Sequence, residues 1–373
     1  MKIRDVPTYV FFYVSRLICT LISAISPYRK MPHPGSILLI EAGESGWREP
    51  APGLLDIEQS AREYIGNDSV FRVEVPHGTH QYLRVVINRI KAVKPTHFFY
   101  DTRTGSQGLV RGLVQSLLLA GYLSWKNIVP LTILTNFPLR KWRRQVSVVT
   151  ARNGLILVLL DPEIGVRRIP HSRILGPIFM PFSKKRLEDL RHRFSTVQKR
   201  TGQPVLTFIG SVYEPRATTL RQVSDALEPV AVDFRIVSRN IDEKKIAEHS
   251  YWSALRSSDL IFTTADHVVA AGADTKIPPH MVYRYTEALV AEGCLIAPIV
   301  SGPLVPNVHY VPYFSPEQLA DDLSALLDNP EKIENIRRAG SELIASRVEG
   351  NAWWTEIDHK LAADALKAKL TVE

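Results

Sequence analysis

The stretch Met281 to Val300, MVYRYTEALVAEGCLIAPIV, limits the fold more than any other part of the chain. Its first half has helical spacing: Val282, Tyr285, Leu289 and Glu292 recur on one face, and only the last is polar. Pro278 and Pro279 stop regular structure from entering from upstream, and Gly293 stands where a helix stop belongs. Cys294 to Val300 is almost wholly apolar, the pattern of a strand covered on both faces in a parallel sheet. A helix feeding such a strand is half of a βαβ unit. Ligands of these sheets bind beyond the carboxyl ends of the strands, near helix N-termini. Two charges inside the helix, Arg284 and Glu287, are not explained by their neighbours. Read by themselves they are a surface pair three residues apart, worth about 0.2–0.5 kcal/mol.

The run Arg284-Tyr-Thr-Glu287-Ala288-Leu289, followed by Gly293-Cys-Leu-Ile-Ala-Pro298, resembles the signature of the C-terminal domain of GT-B glycosyltransferases. It is most like the exostosin-like and family-1-like groups. His309-Tyr-Val-Pro-Tyr, Ser315-Pro-Glu-Gln-Leu-Ala and Leu-Leu-Asp-Asn-Pro330 are similar to the segments downstream of the signature in that group. The resemblance covers residues 203 to 349, and the first half matches in general layout. It implies an α/β fold of two Rossmann-like domains facing a cleft, with parallel sheets flanked by helices. It also implies that Glu287 holds the ribose or the sugar of a nucleotide-sugar donor. Many members carry a second glutamate eight residues earlier, where this chain has Pro279.

At 373 residues the chain has room for two domains. With 45% hydrophobic and 23% charged residues it falls in the globular class, so two packed cores are expected. The net charge of +8 suits an anionic ligand, an anionic membrane face or nucleic acid. The two cysteines, Cys19 and Cys294, lie far apart in apolar runs, which argues against a disulfide framework or a zinc site.

Residues 1–30 form the first segment, with Lys2 and Arg4 at its start, an apolar run from Val6 to Ile25, and Arg29 and Lys30 at its end. Arg16 interrupts the run near its middle, at a cost of about 2.5–3.5 kcal/mol if the helix spans a bilayer. A helix lying in the membrane interface with Arg16 snorkelling fits better. A helix packed against the first domain is the competing reading.

Strands and helices alternate through a first domain, residues 31–183: strands at 36–42, 70–75, 96–100, 128–134 and 154–161, helices at 54–65, 82–93 and 109–123. Glu44 lies in the glycine-bearing loop after the first strand, and His77 and His80 in the loop after the second. Asp101 and Asp161 stand past strand ends, where catalytic groups of α/β folds collect, although an aspartate there more often caps a turn. A transfer that inverts needs a base, and the sequence does not choose among Glu44, His77, His80 and Asp101. Basic residues cluster at Arg140 to Arg144, Arg167-Arg168, Arg173 and Lys184 to Arg186. No nucleic-acid motif accompanies them, and a solvated basic surface is the usual explanation; an anionic acceptor such as a lipid-linked phosphate would explain them together with the N-terminal helix.

The second domain, residues 184–373, opens with a helix at 186–200 and a strand at 205–209. That strand runs into Gly210-Ser211, with Arg216 six residues after the glycine. This resembles the loop that grips a donor diphosphate, and backbone N–H groups with a guanidinium suit phosphate oxygens. Pairing of Arg216 with Glu214 is the alternative. A long loop, 265–280, carries His267, Asp274 and Lys276 and shapes the sugar pocket. Ser315-Pro-Glu-Gln318 is a capping box. The final helix, with Trp353 and Trp354, can cross back onto the first domain.

The reading is a metal-independent glycosyltransferase that is cytoplasmic and peripherally membrane-associated. The first domain binds a glycan or lipid-linked acceptor, and residues 205–300 hold a nucleotide-sugar, which is a substrate, so no cofactor is expected. No aspartate pair of the DxD kind is present. A nucleotide-sugar epimerase of similar shape and a non-catalytic membrane-surface scaffold remain as alternatives.

Overall fold

In the computed structural model the alternating pattern resolves into two parallel sheets, each in its own unit. The structure describes residues 6–26, 38–43, 52–75, 81–100, 109–134, 154–158, 173–197, 202–210, 212, 214–238, 247–264, 281, 283–300 and 302–370. One unit comprises Met1–Val158, Gly165–Gly176 and Trp353–Glu373, the other Leu159–Ile164 and Pro177–Ala352.

The first unit contains α1 (Val6–Ile25), β1 (Leu38–Gly43), α2 (Pro52–Ile65), β2 (Val70–Val75), α3 (Tyr82–Val93), β3 (His97–Phe99), α4 (Leu109–Trp125), β4 (Val129–Leu134), β5 (Leu155–Val158) and β6 (Arg173–Leu175). Its sheet runs β2-β1-β3-β4-β5-β6, with every pairing parallel. Tyr82, Val86 and Ile90 fall one turn apart on α3 and bury against Phe98, Leu119 and Leu123. Helical periodicity is strong there, and the bounds of α3 and β2 are those that the sequence pattern predicts. The short β6 has no counterpart in that pattern. Its strand character comes from pairing, with Arg173 opposite Leu155, and three residues carry no periodicity of their own.

The second unit contains α5 (Lys184–Arg193), β7 (Val205–Gly210), α6 (Arg216–Ala226), β8 (Asp233–Ser238), α7 (Glu248–Arg256), β9 (Leu260–Phe262), α8 (Tyr283–Val290), β10 (Cys294–Pro298), β11 (Val311–Tyr313), α9 (Pro316–Leu327) and α10 (Pro330–Glu349). A last helix, α11 (Ala352–Leu370), comes after them. The second sheet runs β11-β10-β9-β7-β8, again wholly parallel. Its central strands are buried along their length, as a strand covered by helices on both faces must be.

Local chemistry sets several boundaries. Ser183 caps α5 by accepting from the Arg186 N–H at 3.1 Å, so this helix starts at Lys184 and ends by Phe194 rather than running to 200. Phe179 and Phe182 belong to the core of the second unit, whose longer segment begins at Pro177, before the 183/184 boundary that the sequence suggests. Arg186, one of the clustered basic residues, packs over Phe182 and pairs with Glu248 at 3.2 Å. At the other end of the chain, residues 353–373 join the first unit. The Trp354 indole donates to Ser60 Oγ at 3.0 Å, and Tyr64 donates to Asp358 at 2.7 Å.

The stop of α8 differs from expectation. Its left-handed residue is Glu292, at φ 55°, held by Arg256 at 2.9 Å. Gly293 answers a different need. A Cβ there would stand 2.3 Å from Ile261 Cδ1, so the glycine lets β9 and β10 close up over the turn.

Candidate active site

The order of the second sheet reverses between β7 and β9, because the chain crosses from β7 to β8 on one side and to β9 on the other. Such a reversal opens a crevice beyond the strand ends, where ligands of doubly wound sheets bind. Gly210 ends β7 at this place. A Cβ on Gly210 would lie 3.3 Å from Phe208 Cζ and 3.8 Å from Arg284 Nη2. The Arg284 guanidinium thus lies in van der Waals range of the strand end, and Gly210 itself sits at φ 157°, a backbone conformation that side-chain-bearing residues rarely adopt.

Arg284 and Glu287 project from the first turns of α8. They are not the exposed pair that spacing alone suggests. Their side chains are only 19% and 10% exposed, and Arg284 Nη1 lies 3.0 Å from Glu287 Oε2. Tyr251, on α7, donates its phenol O–H to the same oxygen at 2.6 Å. The Arg284 guanidinium also lies over the Tyr251 ring, 4.9 Å from its centroid. One carboxylate oxygen thus meets a cation and a hydroxyl, and these two are stacked on each other.

Arg216 starts α6, and its guanidinium lies over Phe208 of β7 at 5.8 Å. Glu214 receives hydrogen bonds from Thr218 at 2.7 Å and Arg221 at 3.0 Å. Gly210, Arg284 and Glu287 are thus brought together, and Arg216 packs on the strand that Gly210 ends. Glu44, His77, His80, Asp101, Asp161, Ser211, His267, Asp274 and Lys276 lie outside the described residues, as do the basic segments 140–144 and 167–168.

Tyr251 carries no signal in the sequence. It lies 36 residues before Glu287, and no periodicity marks it. If it positions Glu287, Tyr251→Phe lowers kcat/KM of a reaction that uses this carboxylate by about threefold to tenfold, the worth of one hydrogen bond to a charged group less what water restores. Its Tm stays close to the parent's, since the ring and its packing remain. Full activity in the Phe variant would reduce Tyr251 to a packing residue.

No protein-family model and no curated protein sequence matches the chain. Solved structures do resemble it. An α,α-trehalose-phosphate synthase (UDP-forming) from Burkholderia vietnamiensis superposes with a TM-score of 0.52 at 11% identity, over 90% of this chain and 99% of that one. The pneumococcal O-GlcNAc transferase GtfA gives 0.46 at 10% identity, over 74% of this chain. This chain spans 60% of the length of GtfA. AviGT4, a glycosyltransferase involved in avilamycin A biosynthesis, gives 0.45 at 12% identity, over 87% and 98%. The chain has the GT-B fold of glycosyltransferases: two Rossmann-like units, each built on a parallel sheet flanked by helices. At these identities the likeness establishes the fold and nothing finer.

Proposed function

We propose that the chain is a glycosyltransferase of hexosyl type that moves a sugar from a nucleotide-sugar donor to a glycan or lipid-linked acceptor. The observation that carries this reading is the Arg284–Glu287–Tyr251 cluster beside Gly210, at the strand reversal of the second sheet. A group that accepts hydrogen bonds from donor hydroxyls must stay ionised and must not swing. Arg284 and Tyr251 both engage one oxygen of Glu287, and together they hold the carboxylate in place. Charge grows on the departing diphosphate as the glycosidic bond breaks. Guanidinium groups of Arg284 and Arg216, with the backbone N–H of Gly210, can meet that charge without a metal ion, and Ser211 belongs to the donor side on the sequence resemblance. His267 belongs to the donor side on the sequence resemblance. Glu44, His77 and Asp101 are the sequence's candidates for a base.

The experiment is a thermal-shift series with nucleoside diphosphates, followed by transfer assays. A diphosphate at about 100 times its Kd raises stability by about 2.7 kcal/mol in the parent. Arg216→Ala removes most of that shift and lowers kcat/KM at least about tenfold, for loss of a charge-assisted contact of roughly 1.5–3 kcal/mol. Activity of the parent persists in EDTA. A parent that stops in EDTA and recovers with manganese overturns the metal-independent step, and one that no nucleoside diphosphate stabilises overturns the donor site.

A further inference from the structure

Helix α1 is apolar, yet much of its apolar surface faces water. Its inward positions pack on α4. Ser15 and Cys19 are buried, Ile22 reaches to within 3.3 Å of where a Cβ on Gly121 of α4 would stand, and Ser26 donates to the Trp125 carbonyl. The outward positions Val10, Tyr13, Val14, Leu17, Leu21 and Ile25 are between 49% and 74% exposed. Their spacing places them on one stripe, about 24 Å long for the sixteen residues from Val10 to Ile25. Helix α4, packed alongside, exposes Val114 and Leu118 as well. An apolar patch of this extent on a folded chain marks a surface that something covers.

Charge indicates what covers it. Neither helix contains an aspartate or a glutamate, while α1 carries Arg16 and α4 carries Arg111. Across residues 1–30, Lys2, Arg4, Arg16, Arg29 and Lys30 stand against Asp5 alone. A second copy docked on this stripe would bring together two segments of net positive charge. Anionic headgroups supply the opposite charge, and acyl chains accept the leucines. Arg16 is half-buried at the stripe's edge, where its stem can lie along apolar surface with its head at headgroup level. No helix among the described residues is long and apolar enough to cross a membrane. We propose that α1 and α4 together form a docking face for an anionic lipid bilayer, with α1 lying in the plane of the interface. This extends the membrane expectation from one helix to a two-helix surface, and it does not rest on the donor-site reading.

The test sediments full-length protein with vesicles of equal parts phosphatidylcholine and phosphatidylglycerol, and with vesicles of phosphatidylcholine alone. The parent is expected to bind the mixed vesicles at least about tenfold more tightly. The double variant Leu17→Glu, Leu21→Glu is expected to lower that binding by at least about tenfold, with the parent's circular dichroism and Tm, because both side chains already face water. Leu118→Glu on α4 weakens binding in the same direction and carries the test if the α1 variant loses its fold. Equal binding to both vesicle types, absence of binding by the parent, or variants that bind as well as the parent overturns the proposal. So does a parent dimer that Leu17→Glu dissociates, which assigns the face to a second copy.

Discussion

Glu287→Gln is expected to lower kcat/KM for transfer by about tenfold to a hundredfold, with little change in Tm. The substitution keeps the size of the side chain and keeps an acceptor oxygen for Tyr251, so the packing of α8 has no reason to change. What disappears is the negative charge. A hydrogen bond to an ionised group is worth roughly 1.5–3 kcal/mol, and each 1.36 kcal/mol at the transition state is a factor of ten. The loss comes from two directions. Donor hydroxyls meet a weaker acceptor, and Arg284 loses the partner 3.0 Å away that orients its guanidinium. The measurement is a steady-state comparison of parent and variant with the donor that the thermal-shift series selects, beside a melting curve. A variant with the parent's kcat/KM removes Glu287 from the site, and a variant that melts early makes its role structural.

Gly340→Ala is expected to destabilise the second unit by about 1–3 kcal/mol, against the usual gain of roughly 0.5–1 kcal/mol for alanine over glycine inside a helix. Gly340 lies on α10 where that helix crosses α8. A Cβ there would stand 2.7 Å from Leu289 Cδ2 and 2.8 Å from the His309 carbonyl oxygen. Leucine can turn aside, but the carbonyl cannot retreat easily. His309 is tied into its loop by its own N–H, which donates to the Val305 carbonyl at 2.9 Å. The Val305 N–H in turn donates to His309 Nδ1 at 3.0 Å. Partial burial lowers the pKa of His309, which favours the neutral ring that this acceptor role requires. Because α8 carries Glu287 and Arg284, the displacement also reaches the candidate site, and activity falls along with Tm. At about 2–4 °C per kcal/mol for a unit of this size, the shift is measurable by calorimetry. An unchanged or raised Tm means that α8 and α10 have slack where the geometry shows none.

Much of the layout is legible without coordinates, and the reasons are local. Val205 to Ile209 and Cys294 to Val300 read as strands because mostly apolar runs of that length have few other uses, and β7 and β10 lie over them. Ser315 caps α9 through Gln318, as its capping box requires, because both partners lie within one turn. The helical span of α1 follows from twenty residues with a single charge. In each case the interaction that fixes the structure falls within a few residues of the chain.

Other features depend on partners that the chain brings in from a distance. β6 and β11 are strands because Leu155 and Ile296 lie opposite Arg173 and Val311, and three-residue segments containing Arg or Pro have no signal of their own. Tyr251 reaches Glu287 across 36 residues, and Trp354 reaches Ser60 across 294. Gly293 reads as a helix stop from its place in the sequence, while its contact with Ile261 shows that it is there for want of room. The burial that separates an exposed Arg–Glu pair from a held carboxylate is likewise invisible in spacing, since i,i+3 places two side chains on one face without saying what that face meets. The sequence by itself determined the α/β class, the order of most elements and the segment that carries Arg284 and Glu287, because periodicity and capping are short-range. Only the tertiary structure decided which strands adjoin, where the sheet order reverses, and which residues converge there, because those follow from packing between segments whose separation along the chain carries no record of the contact.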